Sequence, residues 1–323
     1  MKTIQILCPV FREEEGILVF HERLSKTVEH LKSSYRVSII YAVDPAGDRT
    51  EDILLELAGR SDDVEVLVMS RRFGHQAALI AGIDASRADA LIMLDSDGQH
   101  PPELIPTLVE RWESGADIVQ TLRQDGKETK YLKRATSALF YRVISRIGSI
   151  DLKAGAADYR LLSRRVVEVL RDQLQERNVF LRGLITWIGY NITYVEFRPE
   201  KRQFGSSNYR TSILFNFALQ GVSSFSKTPL RICTITGLII ASLSVMVGIV
   251  FVVGYVLGPS RVPGWASLVT FITFLGGVQL FFMGIFGEYL GQVFDEVKQR
   301  PRYLVARHSL PGNRTTNGNN EHV

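Results

Sequence analysis

Apolar positions in the first 125 residues fall into short runs separated by stretches with helical spacing. Thr3–Val10, Val37–Asp44, Val64–Ser70, Ala90–Asp95 and Asp117–Arg123 are rich in Val, Ile and Leu and read as strands. Glu14–Leu31, Thr50–Gly59, His75–Ser86 and Glu103–Trp112 read as helices. In the first of these, Ile17, Phe20, Leu24, Val28 and Leu31 share one face. Such alternation predicts an α/β domain with a mostly parallel, Rossmann-like sheet covered on both faces. Ligands then bind at the carboxyl ends of the strands. Glu13, Asp44, Asp95 and Asp97 all fall at such ends. Farther on, Lys130–Ile147, Arg164–Leu174 and Phe180–Trp187 look helical. Gly155–Ser163 reads as a turn with a short strand, and Ile192–Arg198 alternates like an edge strand.

The pattern changes beyond residue 208. Tyr209–Ser226 is amphipathic, with Ile213, Leu214, Phe217 and Phe225 apolar. It predicts a helix lying on a bilayer surface, against the alternative of a helix buried in the domain. Ile232–Leu257 is 26 residues without a charge, and Ala266–Phe286 is 21 more. A hydrocarbon core about 30 Å thick needs roughly 20 apolar helical residues, so both qualify as membrane spans. Helices apolar on every side would find too little partner surface in a soluble chain of this length. Lys227 and Arg231 precede the first span, and Lys298, Arg300, Arg302 and Arg307 follow the second. The connector Gly258–Trp265 carries only Arg261. The excess of basic residues places both outer flanks in the cytoplasm.

The organisation expected is therefore a cytosolic catalytic domain over 1–208 and an interfacial segment over 209–228. A two-helix hairpin follows over 229–290, with helices at about 232–257 and 266–287. Residues 291–323 form a cytosolic tail, disordered from His308. Met1–Val10 has no basic n-region, long apolar h-region or cleavage site, so the first domain is expected to stay in the cytosol.

Charge and cysteine content narrow the field. Lys and Arg total 38 against 34 Asp and Glu, a net +4, which gives no reason to expect nucleic-acid binding. Cys8 and Cys233 stand alone and support neither a disulfide framework nor a thiolate metal site. No G-x-G-x-x-G follows a strand and no P-loop is present, which argues against a dehydrogenase or a P-loop NTPase.

The strongest chemical signal is Leu91–Glu103, LIMLDSDGQHPPE. An apolar strand ends in Asp95-Ser96-Asp97, Gly98 permits a sharp turn, and Pro101-Pro102 open a helix. Two carboxylates this close on an irregular strand end can converge on one hard cation, Mg²⁺ or Mn²⁺. The alternative is an acidic turn that caps the following helix.

These motifs resemble family 2 glycosyltransferases of the GT-A fold. Pro9-Val10-Phe11-Arg12-Glu13-Glu14 is similar to P-V-Y-N-E-E, and Arg72-Phe73-Gly74 through Ala78 to N-x-G-x-x-x-A. Asp95–Glu103 matches D-x-D-x-Q-x-P-P-E, and Gly155–Ser163 looks like G-D-F-R-L-L-S. Arg202–Tyr209 matches R-x-x-G-x-S-[KN]-Y, Phe225–Arg231 matches F-S-x-x-P-L-R, and Gly287–Tyr303 matches G-E-Y-L-G-x-x-x-x-E-V-K-x-R-P-x-Y. The resemblance covers roughly residues 4–305. It is strongest to the bacterial polyprenyl-phosphate glycosyltransferases, a branch that includes bactoprenol glucosyltransferases and is related to dolichyl-phosphate mannose synthases.

The resemblance implies roles. Pro9, Phe11, Glu13, Asp44 and Asp95 would line the nucleotide pocket, with Asp44 accepting from the base. Asp95 and Asp97 would carry a metal and the donor diphosphate, Gln99 would lie near the sugar, and Arg202 would reach the phosphates. Asp158 lies in the segment that the resemblance assigns to the reaction centre, where it orients groups or modestly assists, the alternative being a buried Asp bonded to Arg160 or a turn. Arg123, Lys133 and Arg134 are the cations expected to hold a lipid phosphate. The partners implied are a nucleotide sugar, a polyprenyl phosphate, the bacterial inner membrane and a separate flippase for the product. Oligomeric state stays open, with the hairpin able to make an intersubunit surface. Asp44-Pro45-Ala46-Gly47 stands where the family has D-D-G-S, which leaves UDP favoured rather than fixed.

Two rivals remain at this point. A processive polysaccharide synthase of the same fold would carry Q-x-x-R-W, but Trp187 follows Thr186. A non-catalytic membrane scaffold would not need the Asp95/Asp97 pair.

Overall fold

The computed structural model describes residues 1–124, 153, 155–177, 179–200, 228–257, 264–310 and 316–317. The expected helix Lys130–Ile147 and the amphipathic segment Tyr209–Ser226 lie outside them.

Strand β1 (Thr3–Val10) is central in the sheet and pairs in parallel with β2 (Arg36–Val43) and β4 (Ala90–Met93). β3 (Val64–Met69) extends the parallel set beyond β2. The intervening helices are α1 (Ile17–Glu29), α2 (Thr50–Ala58), α3 (His75–Ala85) and α4 (Ile105–Glu113). β5 (Ile118–Arg123) and β7 (Ile192–Phe197) form a second parallel pair. Between β4 and β5 runs β6 (Ala156–Ser163), antiparallel to both. The short strand expected after Gly155 is thus an eight-residue bridge that joins the two parallel sets. Helices α5 (Arg164–Asp172) and α6 (Leu181–Trp187) follow it.

Side chains alternate across the sheet and give each face its own core. Ile4, Ile6 and Cys8 of β1 face Ile17, Phe20, Leu24 and Val28 of α1 together with Ile105 and Leu108 of α4. Leu7 belongs to the opposite cluster, with Ala77, Ala78, Leu79 and Ile83 of α3 and Val166, Val167 and Leu170 of α5. Each fully buried aliphatic side chain contributes about 1.5–3 kcal/mol, so β1 with its two covered faces is the mechanical centre. α3 packs against it closely because Gly82 has no side chain. A Cβ there would come within 2.8 Å of Leu7 Cγ.

The C-terminal part departs from expectation. α7 (Thr228–Leu257) and α8 (Trp265–Lys298) are long and apolar enough to cross a membrane, with mean hydropathies of 2.3 and 2.0 over Leu230–Val250 and Ser267–Lys298. α8 continues well past Phe286, through a polar end, before the chain returns to the catalytic domain. Against the disorder expected from His308, His308 and Ser309 end a strand. β8 (Val305–Ser309) pairs antiparallel with β3, and the short β9 (Thr316–Asn317) pairs with β8. The physical reason is that β3 would otherwise be an open edge, and His308 Nε2 lies 2.6 Å from Glu65 Oε1 on that strand. The return is pinned ahead of β8, where Arg302 Nη2 and Tyr303 Oη donate to Asp84 Oδ2 over 3.1 and 3.0 Å.

Gly82→Ala forces Leu7 out of place in a packed core. We expect a loss of about 1–3 kcal/mol, read as a lower melting temperature of the detergent-solubilised protein. An unchanged melting temperature would show that this interface has slack.

Candidate active site

The carboxyl edge of the parallel set gathers the polar residues. Asp44 follows β2, and its N–H bonds Val10 O of β1 at 2.9 Å. Its buried carboxylate accepts from Phe73 N–H at 2.7 Å and Gly74 N–H at 3.0 Å. Gly74 has φ 98°, a left-handed conformation that glycine tolerates, and it opens α3. Asp44 therefore sets the 73–74 turn, and any base it meets shares an acceptor already in use. Pro9 O accepts from Ser96 Oγ at 3.0 Å, which ties the Asp95–Asp97 turn to β1. Phe11 is half-buried beneath the Arg72 guanidinium, 4.3 Å from its ring centroid. Buried Glu13 donates its N–H to Thr50 Oγ1 at 3.1 Å and lines one small cavity with Asp97 and Arg23.

Asp95 and Asp97 sit where β4 ends. Gln99 N–H donates to Asp97 Oδ1 at 3.0 Å across Gly98, whose φ is 74°. The turn is braced from α1. Arg23 donates from Nε and Nη2 to Glu103 at 2.7 Å each, and from Nη1 and Nη2 to Glu200 at 2.9 and 2.6 Å. Glu200 N–H in turn donates to Gln99 O at 3.0 Å. Arg123 Nη1 lies 3.4 Å from Gln99 Oε1, so the expected lipid-phosphate cation and the expected sugar contact are neighbours.

β6 brings the second half of the site. Asp158 is 6% exposed, and its carboxylate receives Arg160 Nη2 at 2.7 Å and Arg182 Nε and Nη2 at 2.9 and 2.7 Å. His75, the first residue of α3, places Nε2 3.6 Å from both Asp158 Oδ2 and Asp95 Oδ1. Burial alone would raise the Asp158 pKa. Arg182, then His75 and Arg160, outweigh it and hold the carboxyl well below the usual range. Burial opposes charge on His75 as well, yet Asp95 and Asp158 push its pKa up to about 9. Burial pulls the Arg160 guanidinium down to about 10 against the pull of Asp158. The group is a cluster of opposed charges in which Arg160, Arg182 and His75 hold the Asp158 carboxylate.

Sequence reasoning gave His75 and Arg182 no role. His75 sits in a recognised motif but at a position the motif leaves open, and Arg182 lies in a helix without any motif. A signal was available only in the buried Asp158, which demands cations from elsewhere. Lys133, Arg134 and Arg202 lie outside the described residues.

The donor set suits a hard divalent cation. Asp95 makes only contacts of 3.4 Å and longer, to His100 and His75, and has no short hydrogen bond among the described residues. Buried His100 Nδ1, 3.4 Å from Asp95 Oδ2, has no hydrogen-bond partner among the described residues. Among the described residues no group of three or more His, Cys, Asp or Glu could hold a metal alone. Asp95 and Asp97 would thus hold the ion with phosphate oxygens and water completing its shell.

A bactoprenol glucosyl transferase of Shigella phage SfX is 40% identical over 302 residues, covering 94% of this chain and 98% of that protein. A prophage bactoprenol glucosyl transferase homolog of Escherichia coli (strain K12) is 38% identical over 304 residues, with 94% and 98% covered. Glucosyl-3-phosphoglycerate synthase from Mycobacterium tuberculosis, solved with Mn²⁺, UDP and glucosyl-3-phosphoglycerate, superposes with a TM-score of 0.43 at 20% identity, over 69% of this chain and 78% of that one. The family model described as glycosyl transferase family 2 matches residues 6–171, the span that runs from β1 through the Asp95–Asp97 turn to α5. With that match and relatives near 40% identity along almost its whole length, the chain belongs to glycosyl transferase family 2.

Proposed function

We propose that this enzyme transfers a hexose, with glucose favoured, from a nucleotide-sugar donor, with UDP favoured, to a polyprenyl phosphate such as undecaprenyl phosphate. The observation that carries the reading is the similarity to bactoprenol glucosyl transferases over 94% of the chain, a span that includes both apolar helices. On this reading α7 and α8 cross a bacterial plasma membrane as a hairpin, and the catalytic domain faces the cytoplasm.

The acceptor explains the arrangement of the site. A polyprenyl phosphate is already anionic, so a phosphate oxygen attacks the anomeric carbon directly and no proton has to be removed. The new oxygen–carbon bond forms as the bond from that carbon to the donor diphosphate breaks, with inversion, and the nucleoside diphosphate departs. Little is asked of a general base, in keeping with the low pKa of Asp158. Positioning and charge stabilisation supply the rate. A divalent cation on Asp95 and Asp97 would neutralise the departing diphosphate. Arg123, beside Gln99, offers a cation for the acceptor phosphate, with Lys133 and Arg134 as its proposed partners and Arg202 on the donor side.

Membranes that contain the protein, given labelled UDP-glucose, undecaprenyl phosphate and Mg²⁺, should form a lipid-extractable product. Lack of transfer from every nucleotide sugar tried would overturn the proposal. Asp97→Asn should lower kcat by about 10²-fold or more, and activity equal to wild type would remove the metal assignment. Asp158→Asn should lower kcat by about 10²-fold through misplacement while the pH profile keeps its shape. Loss of an acid limb from that profile would instead make Asp158 a titrating base.

A further inference from the structure

We propose that Arg12 and Arg72 form a guanidinium pair around Phe11 that selects donor nucleotides by their base, favouring one with a carbonyl oxygen at its recognition edge, as in uracil, over one with an amino group, as in cytosine. The inference rests on the nucleotide-sugar reading above and assigns residues to its base-recognition end.

Three segments far apart in sequence meet at one place. β1 ends at Val10, whose register partner is Val43, and Phe11, Arg12 and Asp44 follow directly. The Asp44 carboxylate holds Phe73 and Gly74, which brings Arg72 to the same edge. There the Arg72 Cζ lies 4.3 Å and the Arg12 Cζ 5.4 Å from the Phe11 ring centroid. A guanidinium stacked on a ring spends only its face, and its N–H groups stay in its own plane, free to point at a ligand. Both arginines are exposed, and neither has a carboxylate partner among the described residues.

The backbone marks the same spot. Arg12 has φ 57°, one of two non-glycine residues with positive φ among the described residues. Left-handed backbone suits glycine or asparagine and is strained for a long side chain, and such strain gathers at ligand clamps. The family motifs quoted above carry asparagine at both positions. Two Asn-to-Arg differences that converge on a single ring are one change in chemistry. Asparagine offers both a donor and an acceptor, whereas arginine offers donors alone.

The local partners of a base have changed as well. Both oxygens of Asp44 already accept backbone N–H groups, and Pro45-Ala46-Gly47 replaces the usual Asp and Ser side chains. Discrimination then falls to the arginines. A uracil carbonyl gives their N–H groups an acceptor. The cytosine amino group sets donor against donor and forfeits that hydrogen bond.

Isothermal titration of the full-length, detergent-solubilised protein with UDP and with CDP, each with Mg²⁺, tests this directly. UDP should bind wild type about tenfold or more tightly than CDP, and the R12N/R72N double variant should bring the ratio to within about threefold. Arg71→Asn, whose guanidinium stacks on Phe73 at 4.0 Å instead, should leave the ratio unchanged. The inference is overturned if the double variant keeps the wild-type ratio, if it loses both nucleotides equally, or if wild type prefers CDP. Failure of wild type to bind either nucleotide would sink the donor reading itself, and this inference with it.

Discussion

A carboxylate shut away from water must be matched by cations, and Asp158 is such a carboxylate. Two arginines and a histidine surround it, drawn from β6, α6 and the start of α3. Stripping one partner from a buried pair of this kind costs about 3–5 kcal/mol, so the cluster fixes how those elements sit. His75 extends it to Asp95. The position of the Asp95–Asp97 turn is thereby tied to β6, which runs antiparallel between β4 and β5.

α3 carries this order farther. Its first residue is His75, within the charged cluster, and near its last turn Asp84 receives Arg302 and Tyr303 from the segment after α8. Its middle is clamped to β1 through Gly82 and Leu7. One rigid helix thus touches the active site, the centre of the sheet and the return of the long apolar hairpin. Burial raises the pKa of Asp84 and opposes its charge, and Arg302 is the strongest of the groups that counter it. The latch is therefore a paired charge rather than a loose surface contact.

Much of this was legible in the sequence because it is local. The parallel strands, the acidic residues at their carboxyl ends and the two long apolar helices follow from runs and spacings of side chains. What could not be read depends on distant pairing. Arg182 reaches Asp158 from a helix whose sequence only reports an apolar face. Val305–Ser309 becomes a strand because β3 offers an unpaired edge, not because its own pattern demands one. Asp44 looked committed to a nucleobase, and only the three-dimensional turn reveals that its oxygens serve the backbone first.

The differences from the family motifs gather mainly in one region, although Ala157 and Tyr159 beside Asp158 also depart from G-D-F-R. Asp95, Asp97, Gln99 and Asp158 retain the family residues, and on the proposed reading these surround the carbon and phosphate where bonds change. Phe11, Arg12, Pro45, Ala46 and Arg72 differ, and the segments that carry them converge at the ends of β1 to β3. Physical chemistry permits this division. Groups that meet developing charge in the transition state set the barrier, and they tolerate little change. A nucleobase is remote from the reacting bond, and its contacts contribute binding energy that positions the donor. Such contacts can be rebuilt with different hydrogen-bonding groups as long as they hold the diphosphate against the same two carboxylates. A base pocket altered at these positions is therefore compatible with unaltered transfer chemistry.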